Sequence, residues 1–154
     1  MEEAGATFEE NALIKARAVA TFTGMRALAD DSGLQVDYLG GEPGIHSARY
    51  AGEDGKYEAN NRKLLAALEG VPLERRRARF VCWAALVSPD GTERTVEGII
   101  EGTILEQPRG PGGFGYDPVF VPEGMERTMA ELSEAEKNAI SHRTRALRKL
   151  IPYL

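Results

Sequence analysis

Cysteine and long hydrophobic runs are both scarce in this chain of 154 residues, and their scarcity excludes several classes of protein. Cys82 is the only cysteine, so an internal disulfide is excluded and a reducing compartment fits. It lies in the apolar run Phe80–Leu86, where a small buried hydrophobe is its expected role. That run is too short to cross a bilayer, and no signal-peptide pattern is visible. We therefore expect a cytoplasmic protein that does not bind membranes.

Basic residues are also in deficit. The 19 Lys and Arg residues are outnumbered by 24 Asp and Glu residues, which gives a net charge of -5. A phosphate polymer requires a basic surface, so this balance argues against binding to DNA or RNA but allows one nucleotide held by local cations. The hydrophobic (42%) and charged (28%) fractions are those of a soluble globular protein. The length predicts a single domain over residues 1–154.

Glycine, by contrast, is concentrated beside two aromatic residues and a carboxylate in the segment Gly112-Gly113-Phe114-Gly115-Tyr116-Asp117-Pro118. Glycine gives the backbone freedom to approach a ligand, the two rings offer flat faces, and the carboxylate offers an acceptor. This composition suits a loop that holds a flat polar ring. A tight surface turn with one aromatic side chain in the core explains the same residues about equally well.

The hydrophobic pattern predicts alternating helices and strands. A helix is expected from Thr7 to about Thr23, where Thr7 and Glu10 have the spacing of a capping box. A second helix is predicted from Asp54 to Leu68, and a helical C-terminus begins at Ser133, again with capping-box spacing to Glu136. Strands are predicted at 27–29, 77–87, 92–105 and 119–121, with a hairpin turn at 89–91. The order indicates an α/β fold with a mixed sheet flanked by helices.

Four polar clusters could carry chemistry. They are Glu10 on the first helix, Asp30–Gly33 at a strand end, the glycine-rich loop and the segment Glu136–Arg143. Magnesium prefers carboxylate oxygens together with water and phosphate, Lys and Arg bind phosphate oxygens, and a purine requires an aromatic face. Together the clusters would describe a magnesium-dependent nucleotide enzyme.

Each cluster also has a purely structural explanation. Glu10 completes a capping box, and adjacent carboxylates at a strand end are commonly solvated or form an Asx turn. Lys137 and Arg143 would be surface charges that interact favourably with the dipole of a C-terminal helix. A single histidine such as His142 is more often a surface or core residue than a ligand. No cluster decides the matter by itself.

Taken in order, the clusters resemble those of the inosine triphosphate pyrophosphatase family. The resemblance runs from about Thr7 to Leu150, and its five motifs are TFEENALIKA (7–16), ADDSGL (29–34), GGEPGIHSARYAG (40–52), GGFGYDP (112–118) and EKNAISHR (136–143). It implies an α/β fold with a central twisted mixed sheet, two lobes and an active-site cleft between them. It also implies a homodimer.

The resemblance further implies Mg²⁺-dependent hydrolysis of ITP, dITP or XTP between the α and β phosphates, giving the monophosphate and pyrophosphate. Asp31 would be the general base and a metal ligand, Glu10 the second metal carboxylate, and Ser32 a substrate contact, with Lys15 a weaker phosphate candidate. A carboxylate beside magnesium can orient and help to deprotonate a water molecule. The residues implied for binding the base are Phe114, Gly115, Tyr116, Asp117, Lys137, His142 and Arg143.

Deamination explains how such a pocket would select its substrate. It changes the purine 6-amino donor into a 6-keto acceptor, so donors at that position accept hypoxanthine or xanthine. Adenine would leave a donor facing a donor, at a cost of about 1–3 kcal/mol. His142 and Arg143 are the donors that we would test. Guanine also carries a 6-keto group, and its rejection needs a separate explanation, such as a steric block at the 2-position.

One structural expectation concerns Lys137 and His142. On an unbroken helix, residues five apart point about 140° away from each other, so the two could not easily share a ligand. If both bind the nucleotide, the helix breaks between Asn138 and Ser141, and Ser141 caps a new helix.

The family begins with a strand and a Ser/Thr-x-Asn-x-x-Lys loop that grips the triphosphate, and no such loop precedes Thr7 here. The alternative to an active enzyme is therefore a catalytically impaired protein on the same fold, which binds a nucleotide or a partner subunit. A third interpretation, an α/β interaction domain, leaves the five ordered motifs unexplained.

A sheet without that strand would expose unpaired edge groups and apolar surface. We therefore expect this chain to have low stability and to associate in solution. Sedimentation velocity and a thermal melt test the expectation, and a monomeric preparation with a sharp melting transition would contradict it.

Overall fold

The structure, a computed structural model, describes residues 6–52, 56–111 and 114–154. Its helices are α1 (Phe8–Thr23), α2 (Tyr57–Ala67), α3 (Glu134–Ile140) and α4 (His142–Leu150). Its strands are β1 (Ala27–Val36), β2 (Arg77–Val87), β3 (Glu93–Ile104) and β4 (Phe120–Pro122). Short 3-10 turns occur at Asp37–Leu39, Gly44–Arg49, Leu73–Arg75, Asp117–Val119, Met129–Glu131 and Ile151–Tyr153. No helix among these described residues has both the length and the apolar character needed to span a membrane.

The four strands form one sheet in the order β1-β2-β3-β4. The α/β class and the flanking helices are confirmed, but the described sheet is antiparallel rather than mixed. The turn after β2 explains part of this difference: Ser88 N donates to Thr92 O over 2.9 Å, and so short a connection can join only antiparallel neighbours. At the other edge, β4 pairs antiparallel to β3, with Gly102 opposite Pro122. The longer connections permit either direction, so element order alone could not decide.

The first helix follows the sequence prediction closely. Thr7 Oγ1 accepts from Glu10 N over 3.1 Å, and Gly24 ends the helix with a φ of +69°, its N–H donating to Ala20 O. The Glu10 carboxylate accepts from Ala6 N over 2.8 Å, one residue earlier than in a standard capping box. Thr7 thus begins the helix for the reason that the sequence indicated.

The other predicted boundaries needed adjustment. β1 extends through Asp30–Gly33 to Val36, so these residues lie within a strand and not at its end. The carboxylates of Asp30 and Asp31 are tolerated in the strand because neighbouring helices supply partners for them. The second helix begins at Tyr57, after Lys56, which makes no side-chain cap; the predicted cap Asp54 lies outside the described residues.

The chain divides into two compact units. The first contains the described residues of the segments 1–32, 81–99 and 142–154, and the second those of 33–80 and 100–141. In the first unit, small residues of α1 pack against small residues of β1 and β2. They are Ala12, Ala16 and Ala20 of α1, Ala27 of β1, and Ala85 and Val87 of β2. The second unit has the larger core, which includes a tilted pair of rings, Phe80 and Phe120, with centroids 4.5 Å apart.

A buried arginine completes the C-terminal end of α2 in the second unit. Arg76 is only 3% exposed, and its guanidinium donates to the carbonyls of Leu68 (2.7 Å), Val71 (2.8 Å) and Leu105 (3.1 Å). Carbonyl groups at a helix C-terminus lack partners within the helix and carry partial negative charge. Arg76 therefore anchors this end of α2.

In the first unit, α4 covers one edge of β3 with its basic side chains. Arg145 Nη1 donates to Ile99 O over 2.8 Å, and Lys149 Nζ donates to Glu97 O. Residues two apart on a strand direct their carbonyls to the same edge. Gly98, between them, allows the close approach: a Cβ there would collide with His142 O and Ala146 N.

The close approach at Gly98 predicts a stability effect. Gly98→Ala should lower the free energy of unfolding by about 1–3 kcal/mol, because α4 must shift away from β3 to make room for the methyl group. Urea titration measures the change. Thr92→Ala, at an exposed position of the hairpin, is the control and should cost less than about 0.5 kcal/mol. Equal stability of the Gly98 variant and the native chain would show that the packing there is loose.

Candidate functional site

The structure places the predicted site residues in both compact units. Those of the first unit are Glu10, Asp31, Ser32, His142 and Arg143, and those of the second are Phe114, Gly115, Tyr116, Asp117 and Lys137.

In the first unit, two adjacent aspartates of β1 have different partners. Asp31 Oδ2 accepts from Asn11 Nδ2 over 3.2 Å, and its Oδ1 lies 3.5 Å from Lys15 Nζ. Asp30 Oδ2 instead accepts from Arg143 Nε over 2.8 Å. Successive side chains of a strand point to opposite faces, so neighbours in sequence meet different elements: α1 supplies the partners of Asp31, and α4 supplies that of Asp30.

The partners of Asp31 come from one face of α1. Asn11 and Lys15 are four residues apart and therefore lie above one another on the helix. Lys15 Nζ also donates to Asp30 O over 3.1 Å, which ties the helix to the strand backbone. The Asp31 side chain is 10% exposed and Asn11 is buried, so the carboxylate is held largely out of solvent by an amide and an ammonium group.

Sequence reasoning did not select Asn11 as a site residue. The signal available was an asparagine four residues before a lysine on a predicted helix that faces a strand with carboxylates. That pattern is too common to single out one asparagine, and only the packing of α1 on β1 shows its target.

Glu10 occupies an exposed position at the start of α1. Among the described residues, no group of three or more His, Cys, Asp or Glu side chains is placed to hold a metal ion. Magnesium does not require such a group, because it commonly uses one or two carboxylates and completes its shell with water and phosphate. Glu10 and Asp31 offer that donor set chemically, and the metal roles of both stay predictions.

The prediction that Cys82 is buried is confirmed. Its Sγ lies 3.6 Å from Asp30 Oδ2. Burial, followed by the nearby Asp30 charge, raises the pKa of the Cys82 thiol to about 12. The thiol is therefore protonated at neutral pH and is not a nucleophile.

In the second unit, a buried ion pair orders the aromatic loop, which we define as Phe114–Asp117. Asp117 Oδ2 accepts from Lys137 Nζ and from Phe114 N over 3.0 Å. Lys137 Nζ also lies 4.0 Å from the centroid of the Phe114 ring. The ring of Phe114 is 52% exposed, so part of its surface is available to a ligand.

Tyr116 differs sharply from Phe114. It is 4% exposed, and its hydroxyl donates to Ser47 O over 2.7 Å. Burial raises the pKa of Tyr116, so the hydroxyl stays protonated and remains a donor. The loop therefore combines both sequence interpretations, with one ring exposed and the other in the core; Gly112 and Gly113 lie outside the described residues.

Two further buried polar residues of the second unit were missed by sequence reasoning, and one of them contacts this loop. Asn60 and Asn61 of α2 are buried, and Asn61 Nδ2 donates to Gly115 O over 3.0 Å. Two consecutive asparagines inside a helix are unfavourable for helix formation, which was the available signal.

The predicted break in the C-terminal helix is confirmed. α3 ends at Ile140, α4 begins at His142, and Ser141 between them has extended dihedral angles of −61° and 152°. Such angles are typical of a residue that precedes a helix. A ligand shared by Lys137 and His142 stays a prediction.

The capping box that begins α3 is also confirmed. Ser133 Oγ accepts from Glu136 N over 3.1 Å, and Glu136 Oε1 accepts from Ser133 N over 3.0 Å. The hydrogen bond from Arg127, and after it that from Ser133 N, lowers the pKa of Glu136 to about 2. The Glu136 carboxylate is thus engaged in the N-terminal cap of α3.

Comparison with known proteins agrees with this architecture. The chain is 59% identical over 150 residues to a dITP/XTP pyrophosphatase of Bacillus licheniformis, covering 97% of this chain and 76% of the relative. It is 57% identical over 152 residues to a dITP/XTP pyrophosphatase of Streptomyces coelicolor, covering 99% and 76%. The chain therefore spans about three quarters of the length of these relatives.

Solved structures show the same likeness. The Ham1 protein of Staphylococcus aureus matches with a TM-score of 0.93 at 46% identity, covering 99% of this chain and 78% of that one. A HAM1 protein from Coxiella burnetii matches with a TM-score of 0.92 at 47% identity, covering 97% and 77%. This chain accordingly has the α/β fold of these proteins.

The sequence places it more narrowly. The sequence profile of the Ham1 family matches residues 1–153, and the chain belongs to the Ham1 family. The resemblance inferred from the five motifs is confirmed.

The buried ion pair of the second unit predicts an asymmetric response to mutation. The side chains of Asp117 and Lys137 are 7% and 11% exposed. Lys137→Met should lower the free energy of unfolding by about 3–5 kcal/mol, because it leaves a buried carboxylate without its cation. Adding Asp117→Leu to that variant should recover much of the loss. Urea titration of the double-mutant cycle measures both effects.

A matched control is the pair formed by Arg17 and Glu93. It also has a short contact, 2.6 Å, but its side chains are 52% and 31% exposed. Arg17→Met should cost less than about 1 kcal/mol, since solvent screens exposed pairs. Similar costs for Arg17→Met and Lys137→Met would contradict the importance of burial.

Proposed function

We propose that this chain hydrolyses deaminated purine nucleoside triphosphates, namely ITP, dITP and XTP, to the monophosphate and pyrophosphate. The observation that carries the proposal is the 57–59% identity, over nearly the whole chain, to proteins named dITP/XTP pyrophosphatase. Water attacks the α phosphorus, the bond to the bridging oxygen breaks, and pyrophosphate leaves.

Asp31 is the proposed general base. Its carboxylate is held by Asn11 and Lys15, which fix its orientation. The carboxylate accepts the proton of the attacking water. Asp30 is the poorer candidate, because the family motif places the catalytic carboxylate at Asp31; Arg143 Nε engages Asp30 Oδ2 at 2.8 Å.

Glu10 and Asp31 are the residues that would hold Mg²⁺. When bound, the metal supplies neutralisation of phosphate charge. Lys15 lies beside Asp31 and adds a positive charge on the side from which α1 approaches. Ser32 follows Asp31 in β1 and is half-buried, consistent with a substrate contact.

The aromatic loop is the proposed base-binding element. The exposed ring of Phe114 offers a stacking surface, and the ammonium group of Lys137 on that ring holds it in place. Gly115, Tyr116 and Asp117 shape the loop. His142 and Arg143 are proposed as the donors that read the 6-keto group, which adenine cannot satisfy.

We also propose that the protein acts as a homodimer in the cytoplasm. Exposed apolar side chains support association: Phe22, Met25 and Leu28 are 90%, 66% and 47% exposed in the first unit. A contiguous exposed apolar patch is typical of a surface that another protein covers.

Pyrophosphate release tests the catalytic proposal. The native chain should release pyrophosphate from ITP and XTP with magnesium, and much more slowly from ATP and GTP. Asp31→Asn should lower kcat by about 100-fold or more, because loss of a general base typically costs that much. Removal of magnesium with a chelator should abolish release.

Asp90→Asn is the matched control, since Asp90 is an exposed carboxylate on the turn after β2; its kcat should equal that of the native chain. A folded native chain that releases no pyrophosphate from either substrate would overturn the proposed activity. Full activity in Asp31→Asn would overturn only the role of that residue.

A further inference from the structure

Two adjacent asparagines near the start of α2 contact two different segments of the second unit. Asn60 and Asn61 are 3% and 8% exposed. Neighbouring residues on a helix point about 100° apart, so each side chain reaches a different target. Asparagine is a weak helix former whose burial requires hydrogen bonds, and the targets therefore indicate what these residues do.

Asn60 fixes the end of the 3-10 turn Gly44–Arg49 and the segment that follows it. Its Oδ1 accepts from Ala51 N over 2.8 Å, and its Nδ2 donates to Ala48 O over 3.0 Å. Both ends of the amide are used, and the segment is held to the helix by its backbone.

Asn61 contacts the aromatic loop. Its Nδ2 donates to Gly115 O over 3.0 Å. Tyr116, the next residue, donates from its hydroxyl to Ser47 O over 2.7 Å. Asn60 in turn binds the backbone of Ala48 and Ala51, just after Ser47. The helix α2 is therefore linked to the aromatic loop twice, directly through Asn61 and indirectly through Asn60 and the segment near Ser47. The loop is thereby fixed at two consecutive residues.

The Asn61 side chain contributes little to the stability of the fold. Its Oδ1 is buried and has no hydrogen-bond partner among the described residues. A buried polar atom without a partner opposes folding. Gly115 is half-buried, so water could replace the amide donor there. The side chain thus adds little to folding, and what it does supply is a fixed position for Gly115.

We propose that Asn61 is a positioning residue for recognition of the base. By holding Gly115 it keeps the Phe114 ring and the Asp117–Lys137 pair, on either side of that glycine, in one arrangement before the nucleotide arrives. A loop that is already ordered avoids the entropy cost of ordering on binding. The inference rests on the proposed function, in which this loop binds the purine.

The test compares binding, turnover and stability in Asn61→Leu. Leucine is close in size and has no polar atom to leave unpaired. Titration calorimetry with inosine monophosphate should show about tenfold weaker binding, and KM for ITP should rise about tenfold, as expected for one lost hydrogen bond in a preorganised site. By contrast, kcat should stay within about twofold, and the melting temperature should not fall, because leucine removes an unsatisfied polar atom.

A second variant guards against an effect of the leucine side chain. Asn61→Ala removes the same donor without adding a longer hydrocarbon side chain or a charge, so it should weaken binding of inosine monophosphate about as much. The stability control is Arg76→Lys at the opposite end of α2, where the guanidinium holds three carbonyls. It should lower the melting temperature and leave the affinity for inosine monophosphate unchanged.

The outcomes separate this inference from the proposed function. Native affinity in Asn61→Leu and Asn61→Ala overturns the inference. So does a parallel fall of affinity and melting temperature that Arg76→Lys reproduces, since Asn61 would then act through stability alone. A native chain that binds inosine monophosphate but releases no pyrophosphate overturns the proposed activity only, and the variants still decide the inference by affinity. A native chain that binds no inosine nucleotide overturns both.

Discussion

The ion pair between Asp117 and Lys137 is the constraint around which the candidate base site is built. A carboxylate and an ammonium group this deeply buried are tolerated only when their remaining hydrogen-bonding capacity is also used. The backbone of Phe114 supplies a donor to Asp117, and the ring of the same residue covers Lys137. Because one residue serves both charges, the backbone and the ring of Phe114 are fixed together. The exposed aromatic face follows from the need to satisfy two buried charges.

The first unit solves a related problem by different means. Asp30 and Asp31 carry like charges on adjacent residues, and strand geometry directs them to opposite faces. One carboxylate meets Arg143 of α4, and the other meets Asn11 and Lys15 of α1. Two residues that look equivalent in sequence thus acquire distinct environments. That separation is the physical reason that the two aspartates can have different roles in the proposed mechanism.

Local features could be predicted from sequence and distant ones could not. The cap at Thr7, the box formed by Ser133 and Glu136, and the break before His142 depend on residues within a few positions, and all three are confirmed. Asn11 and Asn61 act on targets 20 and 54 residues away, and nothing in their neighbourhood identifies those targets. Tyr116 belonged to the predicted loop, but the partner of its hydroxyl, the carbonyl of Ser47, lies 69 residues away. The family, by contrast, was recognisable because its motifs are continuous in sequence.

The covering of β3 by α4 has a consequence for covalent modification. Where a neighbouring strand would close a sheet edge with backbone groups, which are chemically inert, here Arg145 and Lys149 close it with ionised side chains. Acylation of Lys149 would remove both the charge and two of the three protons with which its amine can donate. One amide N–H would remain to donate to the carbonyl of Glu97, without the positive charge that now accompanies it. At this edge the charge that Lys149 contributes therefore depends on the chemical state of one amine, whereas the guanidinium of Arg145 keeps its charge.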